Sequence, residues 1–173
     1  MKLHVLYALA AIIVVLIVVM LAYLASTRGG RVRLVAKPIM TPIERETFGY
    51  IQAAVPQLRV YAQVAMGALL RTEPGMSRQD AARLRNRFSQ KIVDYVIEDP
   101  ASGEVVALVE LDDRTHNADR DHTRDAMTAA AGYFTIRLPA GERPTLQNVR
   151  SRVTDGLETR RAAIIAAQTY VTP

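Results

Sequence analysis

The chain opens with one long uncharged stretch and continues with shorter segments whose apolar residues recur at helix or strand spacing. Val5–Leu24 carries no charge and is almost wholly aliphatic, and about 20 such residues are what a helix needs to cross a bilayer. Tyr7 and Tyr23 lie near its ends, where aromatic rings favour the membrane interface. A cleaved signal peptide is the alternative, but this run is longer than a usual signal core and no small-x-small site follows. The pattern predicts a transmembrane anchor over residues 1–25.

Beyond residue 38 the pattern predicts the order helix, strand, strand, strand, helix, strand and helix, with a short additional helix between the first two strands. Thr41 and Glu44 have the spacing of a capping box around Pro42, so a helix should begin there. The predicted elements that follow are a strand over 58–66 with its even-numbered side chains on one face, an arginine-rich helix over 77–88, two strands joined by a turn at 99–103, a helix over 119–131, a strand over 133–138 and an amphipathic helix from Pro144. This order predicts an α/β/α sandwich around a mixed sheet.

The net positive charge of the chain is concentrated near its N-terminus. The net charge is +5, and it is carried before residue 38 by Lys2, Arg28, Arg31, Arg33 and Lys37. More of these charges follow the apolar stretch than precede it, so the positive-inside rule predicts that the C-terminal part faces the cytoplasm. The expected organisation is an anchor (1–25), a basic linker (26–37), a domain (38–140) and a C-terminal helix (141–173). The chain has no cysteine, which excludes disulfides, thiolate catalysis and cysteine zinc sites.

Carboxylates interrupt the two central strands. Asp94 lies within one apolar run and Glu110 near the end of the next, and a charge in such a place is costly unless it is paired or binds a metal. Pairing Glu98 with Glu104 across the turn sets Asp94 opposite Leu108. Asp94 and Glu110 then lie on one face, diagonally placed and roughly 7–8 Å apart. Together with Asp112 they are candidate ligands for Mg²⁺, which prefers oxygen.

Four neighbouring features each leave two interpretations open. His116 is either a general base near neutral pH or a loop histidine with an ordinary hydrogen bond. Glu44 either closes its capping box or points toward the carboxylates. Arg124 either forms a salt bridge within its helix or holds a carboxylate or a phosphate. The arginines of the helix over 77–88 form either a solvated face or a phosphate-binding one.

Three sequence segments carry a family resemblance: KIVDYV, VELDDRTH and RDHTRDAMTAAAGYFTIR. The order of elements, with Asp in the second strand and Glu at the end of the third, resembles the PD-(D/E)XK nuclease superfamily. The closer match is to a bacterial family, domain of unknown function 2726, over residues 38–138. The pattern is also similar to that of very-short-patch repair endonucleases, whose histidine takes part in catalysis.

The resemblance implies a restriction-endonuclease-like fold and metal-dependent hydrolysis of DNA or RNA at the bacterial inner membrane, with Mg²⁺ or Mn²⁺. It implies catalytic roles for Asp94, Glu110 and His116, and metal binding by Asp94, Glu110 and Asp112. Glu44, Gln63 and Arg124 are the accessory residues in this interpretation.

One departure keeps other interpretations open. The superfamily places a lysine two residues after the glutamate, and here that position is Asp112. The protein is then either a nuclease that uses His116, or an inactive module of the same fold that binds nucleic acid or a protein partner. A third interpretation makes the carboxylates a structural ion-pair cluster with Arg124 or Arg137.

Overall fold

The chain forms two compact units, Met1–Lys37 and Pro38–Pro173, in a computed structural model. The structure describes residues 2–27, 33–112, 118–139 and 141–171. In the first unit, helix α1 (Lys2–Thr27) contains His4–Leu24, which is long and apolar enough to cross a membrane. A signal sequence would meet the same criterion, so length and composition alone do not distinguish the two.

The second unit, here called the α/β domain, is a four-stranded mixed sheet with helices. Its elements are α2 (Pro42–Ala54), β1 (Arg59–Ala65), α3 (Met66–Leu69), α4 (Arg78–Phe88), β2 (Ile92–Glu98), β3 (Val105–Leu111), α5 (Ala118–Ala130), β4 (Thr135–Leu138) and α6 (Leu146–Val171). The strands lie in the order β1-β2-β3-β4; the first three are antiparallel, and β4 runs parallel to β3. The predicted mixed α/β sheet is therefore confirmed, whereas the short helix α3 was not predicted.

Local signals set the helix boundaries. Thr41 caps α2: its Oγ1 accepts the Glu44 N–H at 3.3 Å, and the Glu44 carboxylate accepts the Thr41 N–H, which confirms the capping box. Ser77 caps α4 through its Oγ, which accepts the Asp80 N–H at 3.1 Å. Each cap satisfies backbone donors that the first helical turn leaves unpaired.

Two hydrophobic cores lie on the two faces of the sheet. One unites Tyr95, Ile97 and Val109 with side chains of α2 and α6, among them Ile51 and Val153. The other unites strand residues with helices α3 and α4 and includes Val96, Leu108, Met66 and Phe88, with Met127 of α5 packed against it. Because consecutive strand residues point to opposite faces, helices cover the sheet on both sides.

The face predicted for β1 is wrong beyond its midpoint. Val60 and Ala62 pack against the first core, whereas Val64 and Met66 belong to the second. Between them Gln63 has φ 55°, in the left-handed region, which interrupts the alternation of side chains. A single buried face therefore does not extend along the whole strand.

The predicted register of the β2–β3 hairpin is wrong by two residues. Val96 lies opposite Leu108 and Tyr95 opposite Val109, with an irregularity at Ile97/Glu98. The irregularity absorbs one residue and the longer turn another, so Glu98 pairs with Val105 instead of Glu104. A shift of two keeps every side chain on its predicted face. Continued by one residue, the observed pairing sets Asp94 directly across from Glu110.

Candidate functional site

Glu110 lies near the end of β3 and is almost completely buried. Only 4% of the residue is exposed, and its Oε2 is 2.9 Å from Nη2 of Arg124 in α5. The Arg124 side chain is 15% exposed, so solvent screens this ion pair little. The side chains of Glu110 in β3 and Arg124 in α5 thus meet at a site that is largely shielded from solvent.

Asp94, half-buried on β2, joins the same site from the neighbouring strand. Its Oδ2 accepts the N–H of Leu111 at 2.9 Å, at the end of β3. The bond fixes the Asp94 carboxylate beside Glu110, and the charge of Asp94 raises the pKa of Glu110. Asp94 and Glu110 are therefore brought together, as the sequence predicts.

Arg137 of β4 ties the next residues of the cluster together. Its guanidinium binds Asp112, which directly follows β3, and Asp125 of α5. The backbone supports the arrangement, because Glu110 pairs with Arg137 in the parallel register and the Asp112 N–H donates to the Leu138 carbonyl at 2.9 Å. We call the following residues the carboxylate–arginine cluster: Asp94, Glu110, Asp112, Arg124, Asp125 and Arg137.

The environment changes the proton affinity of Glu110. Burial raises its pKa to about 8, the neighbouring Asp94 adds to the rise, and Arg124 opposes it. A carboxyl group with this pKa retains its proton over much of the neutral range, where the Arg124 guanidinium donates a hydrogen bond to it; the contact becomes a full ion pair as the pH rises through about 8. Glu110 is thus a different chemical group from an ordinary surface glutamate.

Glu44 and Gln63 form a second polar contact. Gln63 Nε2 donates to Glu44 Oε1 at 3.4 Å, while the other carboxylate oxygen of Glu44 completes the helix cap. The Tyr95 hydroxyl donates to the Glu44 carbonyl at 2.8 Å, and burial, with Asp94 and Glu44 nearby, raises the Tyr95 pKa above its ordinary value. Glu44 therefore closes its capping box and contacts Gln63, and among the described contacts none joins it to Glu110.

The described carboxylates do not form a three-ligand metal site. Across 33–112, 118–139 and 141–171, no three or more His, Cys, Asp or Glu side chains are grouped to hold a metal ion. Glu110 faces a guanidinium, Asp94 accepts a backbone hydrogen bond and Asp112 is paired with Arg137. His116 lies outside the described residues. The interpretation as an ion-pair cluster agrees with these contacts.

Asp125 and Tyr95 are the members of this region that the sequence did not single out. Asp125 follows Arg124 in a helix of mixed charges, where i,i+4 pairs within the helix were expected and pairing with β4 was not. Tyr95 is the one aromatic residue in β2, and its hydroxyl needed a buried partner, which was the available signal.

Comparison with known proteins places the chain in a family. No curated protein and no solved structure matches it. A family model matches residues 36–156, which span the described sheet, the carboxylate–arginine cluster and the first part of α6. Since the match covers more than half of the sequence, the chain belongs to the family described as "Protein of unknown function (DUF2726)".

Proposed function

We propose that this protein is a nuclease-like module, anchored in the bacterial inner membrane with its α/β domain in the cytoplasm, that binds nucleic acid without cleaving it. The resemblance to PD-(D/E)XK enzymes supports the restriction-endonuclease-like fold and the class of ligand. A mixed sheet covered by helices on both faces is compatible with that fold. Fold alone does not give activity, so the absence of cleavage is argued from the cluster.

The ion pair between Glu110 and Arg124 carries this proposal. In a metal-dependent nuclease the two strand carboxylates hold a divalent cation, whereas here the positive charge beside Glu110 is a guanidinium 2.9 Å away. Arginine keeps its proton at all physiological pH values, so it cannot serve as a base. The cluster thus supplies its own cation beside Glu110.

Asp112 supports the same conclusion. It stands where the superfamily has its lysine, and its carboxylate is held by Arg137. A carboxylate at this position cannot stabilise the negative charge of a phosphorane as the lysine ammonium would.

The proposed location rests on the anchor and on charge. His4–Leu24 has the length of a membrane span, and Arg28, Arg31, Arg33 and Lys37 follow it. Positive residues are retained on the cytoplasmic side, which puts the α/β domain there.

The test combines binding, cleavage and metal titration on the full chain in a non-ionic detergent. Labelled DNA and RNA, single- and double-stranded, are offered to the wild type, Glu110→Gln and Arg124→Ala with EDTA, Mg²⁺ or Mn²⁺. We expect binding in EDTA, no cleavage with any metal, and no Mn²⁺ binding by calorimetry for the wild type. Metal-dependent cleavage that disappears in Glu110→Gln contradicts the proposal. An absence of all nucleic-acid binding contradicts it as well and redirects the search to protein partners.

A metal-dependent nuclease is the second candidate, favoured by the position of Asp94 opposite Glu110. Two carboxylates and several waters satisfy many Mg²⁺ sites. For that candidate Arg124 has to leave Glu110 when the metal binds, so Arg124→Ala should bind Mn²⁺ more tightly than the wild type. Cleavage by the wild type then decides between the two functions.

A further inference from the structure

The charge of the α/β domain is strongly polarised although its sum is zero. Residues 66–91, which comprise α3, α4 and the connection to β2, contain six basic and two acidic residues and so carry +4. The rest of residues 38–173 carries −4. A neutral total therefore conceals a concentrated positive region next to an acidic remainder.

Helix α4 presents this charge to solvent from a fixed position. Phe88 is buried in the second core and Leu84 packs against it, so one side of the helix is held by the domain. The exposed arginines of the helix are Arg78, Arg83, Arg85 and Arg87. Among the described ion pairs of these four, Arg83 alone takes part, with Asp80 at 3.8 Å, and both side chains are more than half exposed.

The helical spacing arranges the arginines in two rows. Arg83 and Arg87 lie one turn apart, about 6 Å along the axis, and Arg78 and Arg85 lie two turns apart, about 10 Å. The rows flank the exposed arc of the helix on either side. Guanidinium groups bind phosphate through paired N–H donors, so both rows are suited to a chain of phosphates.

We propose that the exposed arginines of α4 bind the phosphate backbone of a nucleic acid. This inference rests on the proposed function and names the surface that performs it. An anionic membrane is the competing occupant, but an interfacial helix inserts an apolar face, and the apolar side of α4 is already packed in the core. Contacts to phosphate alone carry no base information, so the binding is independent of sequence and sensitive to salt.

The test measures fluorescence anisotropy of a short labelled duplex DNA and of a single-stranded RNA in EDTA. The full chain in non-ionic detergent is compared with the triple variant Arg83→Gln/Arg85→Gln/Arg87→Gln. The affinity should fall about tenfold or more, and the slope of log K against log salt between about 50 and 200 mM should lose roughly two to three units. Circular dichroism verifies that the variant is folded.

A matched variant removes equal charge from another helix. Arg150, Arg152 and Arg161 are exposed on α6, and their replacement by Gln should change the affinity by less than about threefold because those charges lie outside the proposed surface. If both triple variants bind equally, the surface is wrong while nucleic-acid binding stands. If the wild type binds no nucleic acid, both proposals fail. Binding of residues 38–173, without the anchor, to phosphatidylglycerol vesicles alone, if it is lost in the α4 variant, assigns the arginines to the membrane and overturns the inference.

Discussion

At the scale of the residue, the buried carboxyl group of Glu110 links stability to pH. Its pKa is about 8 in the folded state, against 4.5 for an ordinary glutamate. The folded state therefore holds a proton that the unfolded chain has lost between these two values. The stabilisation is complete below about pH 4.5 and is lost as the pH rises through about 8.

We therefore expect the contribution of Glu110 to the free energy of unfolding to decrease from pH 5 to pH 8 and to level off above. Glu110→Gln keeps the neutral shape and should remove this contribution, so its difference from the wild type changes with pH. Urea denaturation of residues 38–173, which contain both cores, measures it. Glu104 is an exposed residue of the same hairpin, so the free energy of unfolding of Glu104→Gln should change with pH in the same way as that of the wild type. If the difference in the free energy of unfolding between Glu110→Gln and the wild type did not change with pH, the raised pKa of Glu110 would be refuted.

The pairing of Glu110 with Arg124 gives a second prediction at this scale. At about pH 9, where Glu110 is ionised, replacing Arg124 by Leu leaves the buried Glu110 carboxylate without its counter-charge, at a cost of about 3 kcal/mol. The double variant Glu110→Leu/Arg124→Leu should be less destabilised than Arg124→Leu, because exchanging both partners removes the buried charge. A double-mutant cycle by denaturant unfolding measures the coupling. Additive effects of the two single variants would refute a specific pair.

At the scale of the element, local signals were predictable and long-range geometry was not. The caps of α2 and α4 depend on residues three positions apart, so the sequence identifies them. The β2–β3 register depends on an irregularity at Ile97/Glu98, and no turn residue there indicates it in the sequence. The left-handed conformation of Gln63 could not be predicted from the sequence either, because glutamine rarely adopts it.

In the candidate site, too, some features could be predicted from the sequence and others could not. The proximity of Asp94 and Glu110 follows from strand alternation, which a two-residue shift preserves, so their shared face was predictable. The choice of Arg124 as the partner of Glu110 depends on how α5 packs on the sheet. That packing is a tertiary feature, and the sequence could only name Arg124 as one of its alternatives.

The contact of α6 with β4 provides a prediction about elements. A Cβ at Gly156 would lie 2.8 Å from Cγ1 and Cδ1 of buried Ile136. Gly156→Ala should therefore destabilise the domain by about 1–3 kcal/mol, although alanine favours helix formation. In an Ile136→Ala background the same change should stabilise by about 1 kcal/mol, because the obstacle is gone. Thermal and urea unfolding measure both differences.

Gly49 of α2 is the matched control for this prediction. It is exposed and helical, and a Cβ there would have nothing within 4 Å. Gly49→Ala should stabilise the wild type by about 0.5–1 kcal/mol. Stabilisation by Gly156→Ala in the wild type would mean that α6 and β4 pack less closely than described.

At the scale of the whole molecule, two units of opposite character share one chain. Met1–Lys37 holds an apolar helix and all of the net charge, and Pro38–Pro173 holds both cores at zero net charge. The α/β domain therefore owes no part of its described cores to helix α1. The proposed membrane attachment and the proposed nucleic-acid binding are for this reason separable in experiments.

The absence of cysteine makes the proposed topology directly testable. Ala101→Cys adds one exposed thiol at the turn between β2 and β3 of the α/β domain, and Leu3→Cys adds one ahead of the apolar stretch. With positive charge retained inside, a membrane-impermeant maleimide should label Ala101→Cys in inverted membrane vesicles but not in intact spheroplasts. Leu3→Cys should give the opposite pattern, which controls for vesicle orientation.

Labelling of Ala101→Cys in spheroplasts would reverse the topology. Recovery of the Ala101→Cys protein in the soluble fraction, shortened at the N-terminus, would identify residues 4–24 as a cleaved signal. In either case a cytoplasmic nucleic acid would no longer be the partner of the α4 arginines.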